Sequence, residues 1–118
     1  MPFNKYRAQK VKNEFGNFAS KLEAAVYALL KLREEQGDIC GLKCQVQIEL
    51  TKAKIVYKPD FAFIENGIAA YAEAKGFETQ SWRLKKRLWK YYGPGPLYIY
   101  SGSYDRPCLV ETIEIVGD

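Results

Sequence analysis

Asp60 and the triplet Glu73-Ala74-Lys75 lie on two apolar, β-prone runs joined by Asn66-Gly67. Asn-Gly between such runs is a strong hairpin signal, because a two-residue type I′ turn needs φ > 0 at both central positions. With Asn66 and Gly67 as the loop, Glu65 faces Ile68, and counting outward along both strands brings Asp60 opposite Glu73. Like charges opposite one another in a sheet repel. The flanking Phe61 to Ile64 and Ile68 to Ala72 are apolar on both faces, as in a buried central pair. Lys75 shares the face of Glu73, because strand side chains repeat with period two, and could neutralise one carboxylate. A hard divalent cation could instead be held by both through oxygen ligands. The plainer reading is a partly exposed hairpin with an ordinary Asp, Glu and Lys on its wet face; against it, the same face carries Ala62, Ile64, Ala69 and Tyr71.

The chain has 118 residues and no histidine. Ser-His-Asp and Cys-His triads, zinc peptidase motifs and a histidine general base are therefore excluded, and carboxylates and lysine are left to do any catalysis. A Gly-rich phosphate loop and internal repeats are absent too, which disfavours nucleotide hydrolysis. Cys40, Cys44 and Cys108 are odd in number, and Cys-X3-Cys without a second pair is poor zinc spacing, so buried free thiols are expected. A hydrophobic content of 47% fits one folded domain spanning residues 1–118, with a basic N-terminal arm over about residues 1–13. No run of about 20 apolar residues is present to cross a membrane, and the basic N-terminus lacks the apolar segment of a secretory signal. A cytoplasmic protein without membrane contact is the expectation.

The net charge of +4 is unevenly spread. Lys5, Arg7, Lys10 and Lys12 crowd the N-terminus, Arg83, Lys85, Lys86, Arg87 and Lys90 crowd one segment, and Glu111, Glu114 and Asp118 fall near the C-terminus. Clustered basic charge suits a polyanionic partner, or, more plainly, makes a solvated helix face and a basic tail.

The elements that must position these groups follow from periodicity. The segment around Phe15-Gly16-Asn17-Phe18 reads as a short hairpin or irregular stretch. Residues 20–36 read as a helix, with Leu22, Ala25, Val26, Leu29 and Leu30 at helical spacing and Gly37 as its stop. Ser20-Lys21-Leu22-Glu23 matches the capping box, yet Glu23 also borders the apolar stripe and could point toward the sheet. Strands are expected over 44–50, carrying Gln45 and Gln47, over 54–64 and over 68–75. Thr79 or Ser81 would then cap a helix over 82–92 with Leu84, Leu88 and Tyr91 inward, ending at Gly93-Pro94-Gly95-Pro96. Trp82, Trp89 and Tyr92 read as core, or as aromatics that cover DNA. Residues 97–100 and 109–116 finish as strands, the first beside the Glu73 strand through a helical crossover.

Helix with Glu23, then Pro59-Asp60, hairpin, Glu73-Ala74-Lys75, basic helix and strand: this order resembles the PD-(D/E)XK nuclease superfamily, and within it small phage endonucleases, including the phage endonuclease I group of Holliday-junction resolvases. The points of similarity are Ser20-Lys21-Leu22-Glu23-Ala24, Tyr57-Lys58-Pro59-Asp60-Phe61, and Gly67-Ile68 leading to Glu73-Ala74-Lys75-Gly76, over about residues 20–102. Gln45 resembles a glutamine found before the core hairpin in some small phage members. The resemblance implies an α/β fold with a mixed central β-sheet flanked by helices, a restriction-endonuclease-like core in the order α-β-β-β-α-β.

It also implies a function. Asp60 and Glu73, with the backbone carbonyl of Ala74 and with Glu23, would ligate Mg²⁺ or Mn²⁺, and Lys75 would orient or help deprotonate the attacking water. Glu23, Asp60, Glu73 and Lys75 are thus the expected catalytic set, and cleavage would leave 5′-phosphate and 3′-hydroxyl ends. Lys5, Arg7, Lys10, Lys12 and a subset of Arg83, Lys85, Lys86 and Arg87 would contact DNA phosphates. The expected protein is a Mg²⁺-dependent endodeoxyribonuclease, a phage resolvase of Holliday junctions or other branched DNA in the bacterial host cytoplasm. Two symmetric cuts in a junction call for a homodimer. The chain is shorter than many resolvases. The alternatives are a nicking or duplex endonuclease of the same fold and a non-catalytic nucleic-acid-binding protein.

Overall fold

In the computed structural model, residues 11–13, 16–18, 20–76 and 78–116 are described. Lys5, Arg7, Lys10 and Asp118 lie outside them. Strands β1 (Val11–Asn13) and β2 (Gly16–Phe18) form an antiparallel hairpin that takes in the last three residues of the expected arm. Helix α1 (Lys21–Glu35) follows, its start fixed by Ser20 Oγ, which accepts the Glu23 N–H at 2.9 Å. Its end is a Schellman turn: Gly37 adopts φ +85°, its N–H donates to Glu34 O at 3.1 Å, and that of Asp38 to Arg33 O at 2.9 Å.

Strand β3 (Ile39–Cys44) pairs antiparallel with β6 (Phe61–Glu65), across a short separate pair, β4 (Ile48–Glu49) and β5 (Val56–Tyr57). The strand expected over 44–50 is displaced, the sheet strand ending at Cys44 and only Ile48–Glu49 of the expected run being strand, and the strand expected over 54–64 is broken. Gln45, at φ +57°, turns the chain out of β3. Pro59 interrupts the second run, because a residue without an N–H cannot serve both sides of a ladder. Strand β6 meets β7 (Ile68–Ala74) through Asn66 and Gly67, both at positive φ as the type I′ turn demands. Their pairing runs from Glu65 opposite Ile68 to Phe61 opposite Ala72, the register expected from the turn.

From β7 the chain crosses through α2 (Gln80–Tyr92), capped by Thr79 Oγ1, into β8 (Leu97–Ser103), which lies parallel to β7. Strand β9 (Arg106–Ile113) closes the order β3-β6-β7-β8-β9. The protein is thus α/β, with a mixed five-stranded sheet and two helices among the described residues. The element order departs from the implied core order α-β-β-β-α-β, with the β4–β5 pair intervening between β3 and β6; a hairpin before α1 and a second strand after β8 were expected from the sequence. No helix among the described residues is long and apolar enough to cross a membrane.

Alternation in the central strands assigns each helix a face. Phe61, Phe63, Ala70 and Ala72 pack with Ala24, Val26 and Leu30 of α1. Tyr71, Leu97 and Ile99 pack with Trp82 and Trp89 of α2 and with Tyr57 and Leu50. The inward side of α2 differs in part from the expected Leu84, Leu88 and Tyr91: Leu88 packs against the core, but Leu84 and Tyr91 are each 53% exposed, and Trp82 and Trp89 are buried, as their core reading had it. Two indoles seven residues apart bury far more area than the leucines would, and they set the rotation of the helix. Tyr92 is exposed as well, contrary to its reading as core. After α2, the Trp89 Nε1 donates to Gly95 O at 2.8 Å. A Cβ at Gly93 would strike the Trp89 ring, and one at Gly95 would lie 2.1 Å from Ala69 O, so both glycines are required by close approach.

Helix α2 leaves the β3 side of its face open. Ile64 is exposed there, and so is Ala69, where the sequence suggested burial; Ile68, opposite Glu65 on the α1 face, is exposed beside the turn. Cys40, Cys44 and Cys108 are likewise exposed free thiols rather than buried ones. Cys40 and Cys44 lie on β3 and Cys108 on β9, the two edge strands, where packing is thinnest.

Candidate functional site

The turn register carries on past β6 to set Asp60 against Glu73, at the end of the hairpin far from Asn66-Gly67. The Asp60 N–H donates to Glu73 Oε1 at 3.2 Å. Both side chains fall on the α2 face, where Tyr71 also lies. Asp60 is 9% and Glu73 6% exposed.

Each carboxylate is held from several elements. Asp60 Oδ2 accepts the Ala74 N–H at 2.9 Å, and Oδ1 accepts Gln45 Nε2 at 3.1 Å. Glu73 Oε1 accepts the Tyr57 hydroxyl at 2.6 Å, while Oε2 faces Lys75 Nζ at 3.6 Å. Tyr57 is itself wedged against Trp82 and Trp89, with ring centroids 5.8 and 5.6 Å away. The Lys75 ammonium rests 4.8 Å from the centre of the Trp82 ring, and the Lys75 N–H donates to Tyr100 O at 2.8 Å. Lys75, Glu73 and Asp60 are thus brought together as the sequence suggested.

Glu23 arrives from the other layer. Its backbone N–H takes the Ser20 cap, while its carboxylate, 8% exposed, accepts Gln45 Nε2 at 3.3 Å. Of the capping box, the Ser20 half is present, with the Glu23 main chain in the cap, while its side chain turns toward the sheet, the second reading. Two residues beyond the expected set belong to the site, Tyr57 and Gln45. Tyr57 was visible only as part of the Tyr-Lys-Pro-Asp string, and its bond to Glu73 spans 16 positions. Gln45 was marked only by its resemblance to a glutamine before the core hairpin, with no role attached, and it was expected on a strand rather than at the positive-φ turn it makes.

Electrostatics set this cluster apart. Burial pushes the Glu73 carboxyl up to about 8, and the Asp60 charge adds to the effect, against the opposing pull of Tyr57, Lys75 and the Asp60 N–H. Burial raises Asp60 too, opposed by the Ala74 N–H, Gln45 and Lys75. The Tyr57 phenol is driven far up by burial and by Glu73, so it remains a donor. The chain's own groups undercompensate this pair of acids. A divalent ion would supply the missing charge, and the donors are of the right kind: Mg²⁺ takes one or two carboxylates and keeps several waters. Among the described residues no three His, Cys, Asp or Glu side chains gather as a metal-binding group. Asp60 and Glu73 would therefore be the primary holders, with Glu23 reached through Gln45. A cavity of about 150 Å³ opens beside Lys75, lined in part by Gly76, Trp82 and Ser101.

The expected DNA-contacting residues are dispersed. Lys86 is tied to Glu78 and, at 3.0 Å, to Glu111, and Arg83 Nε lies 3.3 Å from Glu78. Lys85 reaches over the Tyr57 ring at 5.8 Å, which brings it beside the site, and Arg87 is exposed. Lys12 sits on β1, and Lys5, Arg7 and Lys10 fall outside the described residues.

Residues 3–100 match the family described as protein of unknown function, DUF1064. The chain belongs to that family. The matched span takes in Glu23, Gln45, Tyr57, Asp60, Glu73 and Lys75, so the whole cluster lies within the part of the chain that defines membership. No curated protein is significantly similar to the chain.

Proposed function

We propose that the chain is a metal-dependent DNA endonuclease built on a restriction-endonuclease-like core of the PD-(D/E)XK type. The observation that carries this reading is the buried pair Asp60 and Glu73 with Lys75 Nζ 3.6 Å from Glu73 Oε2, in a chain without histidine. A structural ion pair would match charge with charge, whereas here burial leaves acid in excess.

Asp60, Glu73, Glu23 and the backbone carbonyl of Ala74 would hold Mg²⁺ or Mn²⁺. When bound, the ion supplies charge neutralisation at the scissile phosphate and acidifies water. Tyr57 and the Asp60 N–H fix Glu73 so that Oε2 faces outward to Lys75. Lys75, held against Trp82, orients the attacking water or, when neutral, helps take its proton. Arg87 and Lys85, together with the basic N-terminal residues, steer the phosphate backbone, giving an affinity that falls steeply with salt. Branched DNA is the proposed substrate and a homodimer the proposed form, since a junction offers two symmetric cleavage points.

The test is to incubate the protein with a four-way junction and with matched linear, flap and single-stranded DNA, each with Mg²⁺, Mn²⁺ or EDTA. Paired metal-dependent cuts in the junction support a resolvase. Equal cutting of linear duplex supports a nicking or duplex endonuclease, and binding without cleavage of any substrate overturns the enzymatic reading.

A further inference from the structure

Gln45 is held twice by one residue. Its backbone N–H donates to Asp60 O at 3.0 Å, and its side-chain Nε2 to Asp60 Oδ1 at 3.1 Å. The same amide nitrogen donates to Glu23 Oε2 at 3.3 Å. It thereby joins α1, on one layer, to the start of β6, whose carboxylate belongs to the other. Gln45 also sits at φ +57°, a conformation that favours glycine and disfavours a residue with a Cβ. A position whose only duty was to turn the chain out of β3 would be better filled by glycine. The side chain has to offset that strain.

From this we infer that Gln45 is a positioning residue: its carboxamide bridges Glu23 and Asp60, sets the Asp60 rotamer, and keeps the α1 carboxylate within the site. The inference rests on the reading of Asp60 and Glu73 as metal ligands. An amide nitrogen has two N–H donors and no charge, so it satisfies one oxygen of each carboxylate without neutralising either. With Ala74 N–H on Oδ2, both Asp60 oxygens are oriented before any ion arrives. Groups that orient ligands in this way are worth about 10- to 100-fold in metal affinity.

The experiment compares the full chain with Gln45→Met, Gln45→Gly and Gln45→Glu, reading Mn²⁺ affinity by calorimetry and thermal midpoints in EDTA, with and without Glu23→Gln. Gln45→Met and Gln45→Gly should each weaken Mn²⁺ binding about tenfold or more, glycine doing so despite its easier backbone. Gln45→Glu should lower the midpoint in EDTA and show a larger Mn²⁺-induced rise than the unaltered chain. The midpoint loss caused by Gln45→Met should shrink when Glu23 is already Gln, because the repulsion it offsets is gone. Unaltered Mn²⁺ affinity in both the Met and Gly variants would overturn the inference. If the unaltered chain binds no Mn²⁺, the metal reading falls, and the EDTA comparison decides for Gln45: a loss independent of Glu23 rules out the bridge.

Discussion

Two glutamates at opposite ends of the β6–β7 hairpin meet similar partners and end in opposite states. Glu65, beside the turn, accepts the Tyr98 hydroxyl at 2.7 Å; Glu73, at the open end, accepts that of Tyr57 at 2.6 Å. Glu65 also receives Arg33 Nη2 at 2.7 Å and stays partly solvated, and Tyr98 and Arg33 together hold its carboxyl below the ordinary range. Glu73 instead faces a second buried acid, with Lys75 farther away, and its carboxyl is pushed up. A phenol bond is common to both, so it cannot be what separates them. The difference is that the chain satisfies the charge at one end and leaves it in excess at the other. A satisfied carboxylate holds the fold together; on the proposed reading, the one left in excess is where an ion would bind.

The contrast is broken most severely at Asp60. Asp60→Asn removes one member of the unsatisfied pair and should abolish metal-dependent cleavage, by on the order of 10³-fold or more. The folded chain should be as stable in EDTA as before, which circular dichroism melting checks. Trp89→Ala tests the packing behind the Glu73 end, since Trp89 touches Tyr57 and Tyr71. Its fully buried indole should cost about 3–5 kcal/mol in urea unfolding.

Acid and base sharpen the comparison further. A raised carboxyl binds its proton more tightly when folded, so Glu73 lowers stability as pH rises from its ordinary 4.5 to about 8. Thermal melts in EDTA should fall across that window, and Mg²⁺ should flatten the fall, because the ion binds the ionised form. Glu65 works the other way: its contribution is present above 4.5 and is lost as pH drops through its lowered value. The smallest effect is expected from Arg33→Ala, about 1 kcal/mol for a partly exposed pair, with the Glu65 carboxyl moving back up in a carbon-detected NMR titration.

Much of this was legible in the sequence, for identifiable reasons. Asn66-Gly67 admits one tight turn, and that turn alone fixes which residues of β6 and β7 face each other. Ser20 and Gly37 mark α1 because a cap and a positive φ are local demands. The crossover from β7 to β8 follows from a helix between two strands. What escaped was decided by packing between distant elements. The rotation of α2 followed its tryptophans, a competition that helical spacing does not weigh. Exposure of Ile64 and Cys40 depended on how far α2 extends over the sheet. Tyr57 and Gln45 reached the site across loops, and Lys86 was drawn off by Glu78 and Glu111, so neither the completed cluster nor the thinned basic helix could be read from residue spacing.

The central claim is that Asp60 and Glu73 form a divalent-ion centre while Glu65 does not, and Mn²⁺ titration of three chains tests it. The unaltered protein and Glu65→Gln should bind Mn²⁺ with matching affinity, and Asp60→Asn should lose that binding. Equal binding by the unaltered chain and Asp60→Asn, or a loss confined to Glu65→Gln, would contradict the account.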